Sequence, residues 1–392
     1  MTKGNLLVGQ SGGCTAVINQ TLAGVIESAG RYKSIGRVFG MRSGIIGLMH
    51  NSFIDLSSLN KKMIDKLKQT PSSALGSCRY KINDKESELI LGHLRKNNIR
   101  YLLLIGGNDT AQTSLRIARY ANKKGYELYS IALPKTIDND LPCMDHTPGY
   151  GSAATFIACA TQEAGRDTEA MKYVDPVKII EVMGRNSGWL VAASALGKQS
   201  ASDAPHLLCF PERPFTERKF LNEVRQIYDR IGYVVIVVSE TIRNKQSRRI
   251  GERKTGIVKD SFGHQYVEGA AQKLCQLIER KVGIRARFDK PGTIQRMSMR
   301  YVSPVDQREA YMVGEKGVRL AISGKSGIMV TLNRASSKPY RSKTGYVGIE
   351  KIAGTERDLP DKFINKQGNF VTKSFFDYAH PLVGKLPSFI RL

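Results

Sequence analysis

The sequence predicts an α/β protein with mainly parallel, doubly wound sheets, and three observations carry that prediction. Apolar runs of strand length recur with helical stretches between them, which is the βαβ alternation. Several of those runs pass straight into glycine-bearing turns, as strand ends in such sheets do. The pattern restarts after about residue 150, so the 392 residues read as two lobes of similar architecture with a cleft between them.

The first run, 6–8, enters the turn Gly9, Gln10, Ser11, Gly12, Gly13, Cys14, Thr15 and then a helix over about 16–27. A helix N-terminus behind a glycine turn aims backbone N–H groups at one point and suits phosphate. The turn matches neither GxGxxG nor GxxxxGK[ST]. The run 101–105 leads into Gly106, Gly107, Asn108, Asp109 and Thr110, an acidic turn that opens a helix. The run 128–133 leads into Pro134, Lys135, Thr136, Ile137, Asp138, Asn139 and Asp140, which sets a lysine shortly before two carboxylates. A second α/β unit begins near Gly151, with runs at 177–183, 207–210 and 233–239. Beyond Arg300 the alternation loosens, and the polar stretch 336–343 reads as a surface loop. Ser323, Gly324, Lys325 and Ser326 imitate part of a P-loop but lack its first glycine, having Arg319 there, and also read as a loop.

With 41% hydrophobic and 24% charged residues the chain has ordinary globular usage and can bury a sizeable core. Residues 1–5 run directly into the first strand without a basic region and apolar leader. No apolar run approaches the roughly 20 residues of a membrane span, so a cytoplasmic protein with no membrane partner is expected. Cys14, Cys78, Cys143, Cys159, Cys209 and Cys275 show neither CxxC nor paired-histidine spacing, which argues against zinc and against a disulfide framework. The net charge of +25 would suit a polyanion. The basic residues are nevertheless spread along the whole chain. Their densest run, 243–249 followed by Arg253 and Lys254, has no interleaved aromatics for base stacking and reads as a solvated loop. No specific nucleic-acid partner is expected.

The strand-end loops bring glycine, acid and lysine together, as phosphate chemistry with a divalent cation requires. Arg79 and Lys81, two apart, would point the same way in an extended segment and grip one phosphate. Arg185 stands at a strand end, and Glu212 follows an apolar strand where a carboxylate suits a sugar hydroxyl. Arg287 and Arg296 flank 291–295 and suit bidentate contact with a phosphate monoester. Trp189, the one tryptophan, reads as core.

On these motifs, in this order, the chain resembles the phosphofructokinases over most of its length. The residues concerned are GQSGG (9–13), Arg79, GGNDT (106–110), PKTIDND (134–140), TPGYGSA (147–153), EVMGRNSGW (181–189), Phe210-Pro211-Glu212 and PGTIQR (291–296). The resemblance implies two similar Rossmann-like three-layer α/β/α lobes with the active-site cleft between them. The phosphoryl-donor lobe would take 1–149 plus about 296–345, and the sugar-phosphate lobe about 150–295 plus 346–392. ATP-using members carry glycines where this chain has Asp109 and Lys135, whereas pyrophosphate-using members carry Asp and Lys, which fill the nucleotide's path. The resemblance therefore implies reversible, Mg²⁺-dependent phosphoryl transfer from pyrophosphate to O1 of fructose 6-phosphate, in a homodimer or homotetramer. It implies Asp138 as general base, Asp140 as its aid in orienting the hydroxyl or the metal, and Arg79 and Lys135 as stabilisers of phosphoryl charge. It further implies that Asp109 holds Mg²⁺ and that Gly12, Gly13, Lys81, Gly107 and Lys135 bind the donor. Thr136, Asp138, Met183, Gly184, Arg185, Glu212, Arg287 and Arg296 would bind the sugar phosphate.

Four departures from the family pattern stand out. Asn108 replaces a usual aspartate, which shifts metal binding toward Asp109. Thr293 replaces a histidine or tyrosine near the 6-phosphate, and Pro176 replaces an arginine that reaches a neighbouring subunit, with Lys178 as its nearest substitute. Cys14 and Cys78 stand where proline and serine are usual, in settings that favour thiol reactivity, so thiol reagents should inactivate the enzyme and pyrophosphate with Mg²⁺ should protect it. ATP as donor, sedoheptulose 7-phosphate as acceptor, and a catalytically silent regulatory subunit remain the alternatives at this point.

Overall fold

The structure is a computed structural model, and it describes residues 2–251 and 269–391. Arg253 and Lys254 of the basic run lie outside the described residues. Eleven strands are present among the described residues: β1 (Gly4–Gln10), β2 (Ile35–Met41), β3 (Phe53–Asp55), β4 (Ile99–Gly106), β5 (Tyr129–Pro134), β6 (Val177–Val182), β7 (Leu207–Cys209), β8 (Val234–Ser239), β9 (Ala286–Asp289), β10 (Ile328–Ser337) and β11 (Tyr340–Gly348). They belong to two compact units. The described residues up to Tyr150 together with Arg296–Arg357 form the first, and those of 151–295 together with 358–391 form the second.

In the first unit the sheet order is β11-β10-β5-β4-β1-β2-β3. The five strands from β10 to β2 run parallel, and the edge strands β3 and β11 are antiparallel to their neighbours. The apolar runs of β1 and β4 are continuous because both of their faces are covered. Leu6, Val8, Leu103 and Ile105 pack with the helices Ile18–Ala29 and Pro304–Ile322. Leu7, Leu102 and Leu104 pack on the opposite face with the helices Asp84–Lys96 and Asn108–Lys123. Each such fully buried side chain contributes about 1.5–3 kcal/mol. Helices Ile18–Ala29 and Pro304–Ile322 touch through glycines, since a Cβ on Gly24 would lie 2.3 Å from the Tyr311 carbonyl oxygen and one on Gly314 2.2 Å from that of Thr21.

The second unit holds a four-stranded, all-parallel sheet, β7-β8-β6-β9. Val177, Ile179, Val234, Ile236 and Val238 pack against Phe220 and Val224 of the helix Glu217–Ile231 and against Leu274 and Ile278 of the helix Ala270–Val282. Trp189 is 1% exposed, with its ring 5.8 Å from Phe363 and 5.4 Å from Tyr378, so it is core as expected.

The six apolar runs all become strands, within a residue or two at each end. The stretch 336–343 is not a free surface loop. It forms the tip of the antiparallel β10–β11 hairpin at the sheet edge, where the inner face is half-buried but polar, with the Tyr340 hydroxyl bonded to Glu309, so apolar alternation does not appear. The region beyond Arg300 also contains the 19-residue helix Pro304–Ile322. The first helix spans Ile18–Ala29, two residues later at each end than expected, and the Ala16 amide before it donates to the Arg296 carbonyl.

Beneath the hairpin lies a buried ionic cluster. His146 sits between Asp145 (2.8 Å) and Glu309 (2.6 Å); Tyr340 donates to Glu309 at 2.7 Å, and Arg334 pairs with Asp145 at 3.2 Å. No helix among the described residues is long and apolar enough to cross a membrane.

Candidate active site

Because β5, β4 and β1 are adjacent and parallel, their carboxyl ends lie on one edge of the first sheet. The turn after β1 is tied down on both sides. Ser11 N–H donates to Ile105 O, Gly12 N–H to Cys78 O, and the Ser77 hydroxyl to Gly12 O. Its Ser11 and Gly12 amides, and that of Ala16 just after it, are thereby bonded within the protein. The sequence had pointed to these N–H groups as the anion cradle, but the structure brings two cationic side chains to the same turn. Lys135 Nζ donates to Gly13 O at 2.7 Å. A Cβ on Gly12, where φ is +75°, would lie 3.3 Å from Lys135 Nζ, and one on Gly13 would lie 2.7 Å from Arg296 Nη1. The positive φ at Gly12 favours glycine, and a side chain at Gly13 would displace the Arg296 guanidinium.

Lys135 is 3% exposed. Burial pulls its pKa down to about 8; Cys14 and Asp138 oppose that fall, while Arg296 and Arg79 add to it. The shift disfavours the ammonium by on the order of 3 kcal/mol, a deficit that an adjacent phosphate dianion offsets. Arg79, Lys135, Asp138 and Arg296 thus share one electrostatic neighbourhood. Arg296, expected among the sugar-phosphate ligands, stands in the first unit beside Gly13, and its Nε is buried without a partner among the described residues.

In the loop after β5, burial alternates with period two. Ile137 and Asn139 are buried, whereas Thr136, Asp138 and Asp140 lie on the more open side. Asp138 N–H donates to Thr136 Oγ1 (3.1 Å), and Asn139 Oδ1 accepts from Thr147 N–H (3.1 Å). Thr147 Oγ1 in turn donates to Thr136 O (2.9 Å), which laces this loop to the TPGYG segment.

Gly107 N-caps the helix Asn108–Lys123, and Asp109 is the acid of its first turn. Asp109 and Lys81 line a cavity of about 430 Å³ along that helix. Arg79 acts in the field of Lys135, and Lys81 faces the Asp109 cavity. Asn108 is bonded elsewhere, to backbone at 352–355.

In the second unit Met183 directly follows β6, and its amide donates to Gln295 Oε1 (3.1 Å). Gly184 and Arg185 follow with φ of +135° and +48°, and Arg185 N–H donates to Glu240. Glu212 Oε1 accepts from the amides of Gly188 (2.7 Å) and Leu359 (2.8 Å), while its Oε2 is buried without a partner among the described residues. Burial pushes the Glu212 carboxyl above its usual pKa against those two hydrogen bonds. Arg287 Nε is ion-paired with Asp175 at 2.9 Å. Lys178, the proposed substitute for the missing arginine, pairs with Asp289. Sequence reading gave Gln295 and Arg357 no role of their own; both act through backbone groups distant in sequence, and no local pattern marks such contacts.

Glycine turns, a buried lysine, two carboxylates on the open side of one loop and a buried acceptor carboxylate are the parts that the motifs had implied, and the profile of the phosphofructokinase family (PFK) matches residues 5–321. The chain belongs to the phosphofructokinase family. It is 40% identical to the pyrophosphate--fructose 6-phosphate 1-phosphotransferase of Xanthomonas campestris pv. campestris, over 99% of this chain and 93% of that protein. It is 37% identical to the enzyme of the same name from Halomonas elongata, over 98% and 92% of the two chains. Among solved structures, the pyrophosphate-dependent phosphofructokinase of Marinobacter aquaeolei superposes with a TM-score of 0.88 at 36% identity, covering 99% of this chain and 94% of the other.

Proposed function

We propose that this phosphofructokinase-family chain reversibly transfers a phosphoryl group from pyrophosphate to O1 of fructose 6-phosphate, giving fructose 1,6-bisphosphate and phosphate. The observation that carries the donor assignment is the buried Lys135 ammonium at the Gly12–Gly13 turn, flanked by Arg296 and Arg79. Three cations around a glycine turn suit a compact, highly charged donor. In this reading Asp138 takes the proton of the sugar 1-hydroxyl while that oxygen attacks one phosphorus of pyrophosphate in line. The bond from that phosphorus to the bridging oxygen breaks, and its electron pair leaves with inorganic phosphate. Arg79, Lys135 and Arg296 balance the charge on the group in flight. Asp140 helps to orient the hydroxyl. Glu212, with an unpartnered buried oxygen, accepts a hydroxyl of the sugar, while Thr136, Met183, Gly184, Arg185 and Arg287 complete the sugar-phosphate contacts.

Among the described residues no three His, Cys, Asp or Glu side chains gather into a metal site of their own. That fits Mg²⁺, which keeps waters and is held by one or two carboxylates plus substrate phosphates. Asp109 would hold it, with Asp140 of the loop after β5 as its aid, and the bound ion would neutralise charge on the donor oxygens. The first unit is then the donor side and the second the sugar side of a cytoplasmic homo-oligomer.

The test is an assay of purified protein with fructose 6-phosphate and Mg²⁺, giving pyrophosphate or ATP in parallel, with sedoheptulose 7-phosphate as a second acceptor. Turnover with pyrophosphate and not ATP is expected. Turnover with ATP alone overturns the donor assignment, and a strong preference for sedoheptulose 7-phosphate overturns the acceptor.

A further inference from the structure

The polypeptide returns to the edge of the first sheet after β11, and its segment 349–357 makes two sets of contacts that local sequence does not announce. Asn108 Nδ2 donates to the carbonyls of Ile352 (3.0 Å) and Thr355 (2.6 Å), and Asn108 Oδ1 accepts from the amides of Gly354 (2.8 Å) and of the Gln112 side chain (3.2 Å). Arg357 reaches the other acidic loop. Its guanidinium donates to Asn139 O (2.8 and 3.2 Å), Met144 O (2.6 Å) and Asp145 O (3.1 Å), and its own amide donates to Asp140 O (2.7 Å). Asn139 lies between Asp138 and Asp140, has φ of +54° and is fully buried.

We propose that the segment 349–357 is a strap that aims the two acidic loops, with Asn108 and Arg357 as positioning residues for phosphoryl transfer. Arg357 holds the Asn139 carbonyl through its guanidinium and the Asp140 carbonyl through its own amide, and thereby sets the directions in which Asp138 and Asp140 project. The planar guanidinium, with a fixed fork of donors, spans the Asn139, Met144 and Asp145 carbonyls, whereas a lysine ammonium cannot span the same carbonyls in one geometry. Asn108 pins the first turn of the helix that carries Asp109. The same contacts account for the departure at position 108. A carboxylate there has no proton to donate and would face the Ile352 and Thr355 carbonyls with like charge, so an amide suits a strapped loop and an aspartate does not. Asn108 is therefore a backbone staple and not a replacement metal ligand. The inference rests on the reading that Asp138 and Asp140 serve the reaction.

The experiment compares Arg357→Ala, Arg357→Lys, Asn108→Ala and Asn108→Asp with the parent and with Asp138→Asn. It measures kcat, KM for both substrates, thermal unfolding, and amide hydrogen exchange across 136–145 and 107–112. Arg357→Ala is expected to lower kcat by about tenfold to a hundredfold, the cost of small misplacement of reacting groups. KM should stay within about threefold, with faster exchange confined to 136–145. Arg357→Lys should recover little of the loss. Asn108→Asp should speed exchange at 107–112 and lower kcat more than Asn108→Ala. A folded Arg357→Ala enzyme with the parent kcat overturns the proposal, as does unchanged exchange at 136–145. If Arg357→Ala does not fold, Arg357→Lys and the two Asn108 variants decide by the same criteria. An active Asp138→Asn enzyme instead overturns the reading of the acidic loop, while the exchange data still judge the strap.

Discussion

At the residue scale Lys135 shows how position changes chemistry. In water its ammonium would be fully charged at any pH the cell meets, but in the first unit its pKa falls to about 8 through burial. A pyrophosphate anion binds the protonated form, so affinity should be full below pH 8 and decline as pH rises through that value. KM for pyrophosphate should rise by up to about tenfold per pH unit on the alkaline limb, and Lys135→Met should raise KM throughout and flatten the limb. A steep alkaline limb that survives in Lys135→Met would assign it to another group. Cys14 lies within electrostatic reach of Lys135 and Arg296, and Cys78 accepts the Gly12 amide through its carbonyl. Maleimide should therefore remove activity, with pyrophosphate and Mg²⁺ slowing labelling at Cys14 and Cys78. The exposed Cys143 serves as the internal control, since its labelling should ignore ligand. Equal inactivation with and without ligand would contradict this.

At the scale of elements, what sequence reading recovered was what burial had written into it. The strands β1, β4, β5, β6, β7 and β8 are apolar because helices or neighbouring strands cover them, and a continuous apolar run survives any change of viewpoint. β10 and β11 were not read as strands: the buried stretch 328–332 of β10 is short, and the rest of the pair is an edge hairpin that carries no such run. The crossing of helices Ile18–Ala29 and Pro304–Ile322 was equally silent, since an isolated glycine within a helical pattern announces nothing about its partner. Replacing Gly314 by valine should cost about 1–3 kcal/mol, because the added carbons meet backbone atoms of the facing helix and no rotamer relieves them. Urea unfolding should show a lower midpoint with an unchanged m-value. An unchanged midpoint would mean that the helices can separate at little cost.

At the scale of the whole molecule, stability should carry the signature of the buried cluster under β10–β11. Burial alone would push the His146 imidazole down, but its hydrogen bonds to Asp145 and Glu309, with the charges of both, raise it to about 9. A histidine whose folded pKa exceeds its unfolded value of about 6.5 adds stability that is fully present below pH 6.5 and lost as pH rises through 9. Urea midpoints of the parent and of His146→Gln should therefore differ most near pH 6 and converge above pH 9; a gap independent of pH would mean that the histidine stays neutral. The sequence by itself determined the family, the α/β class, the strands that carry the site and the acids and cations of its loops. Those depend on residue type and on patterns a few residues long. Tertiary structure alone decided that Arg296 joins the glycine turn after β1, that burial lowers the Lys135 pKa and that Asn108 bonds to backbone carbonyls 244 to 247 positions away. Hydrogen bonds and desolvation act through distance in space, and only the folded path of the chain sets that distance.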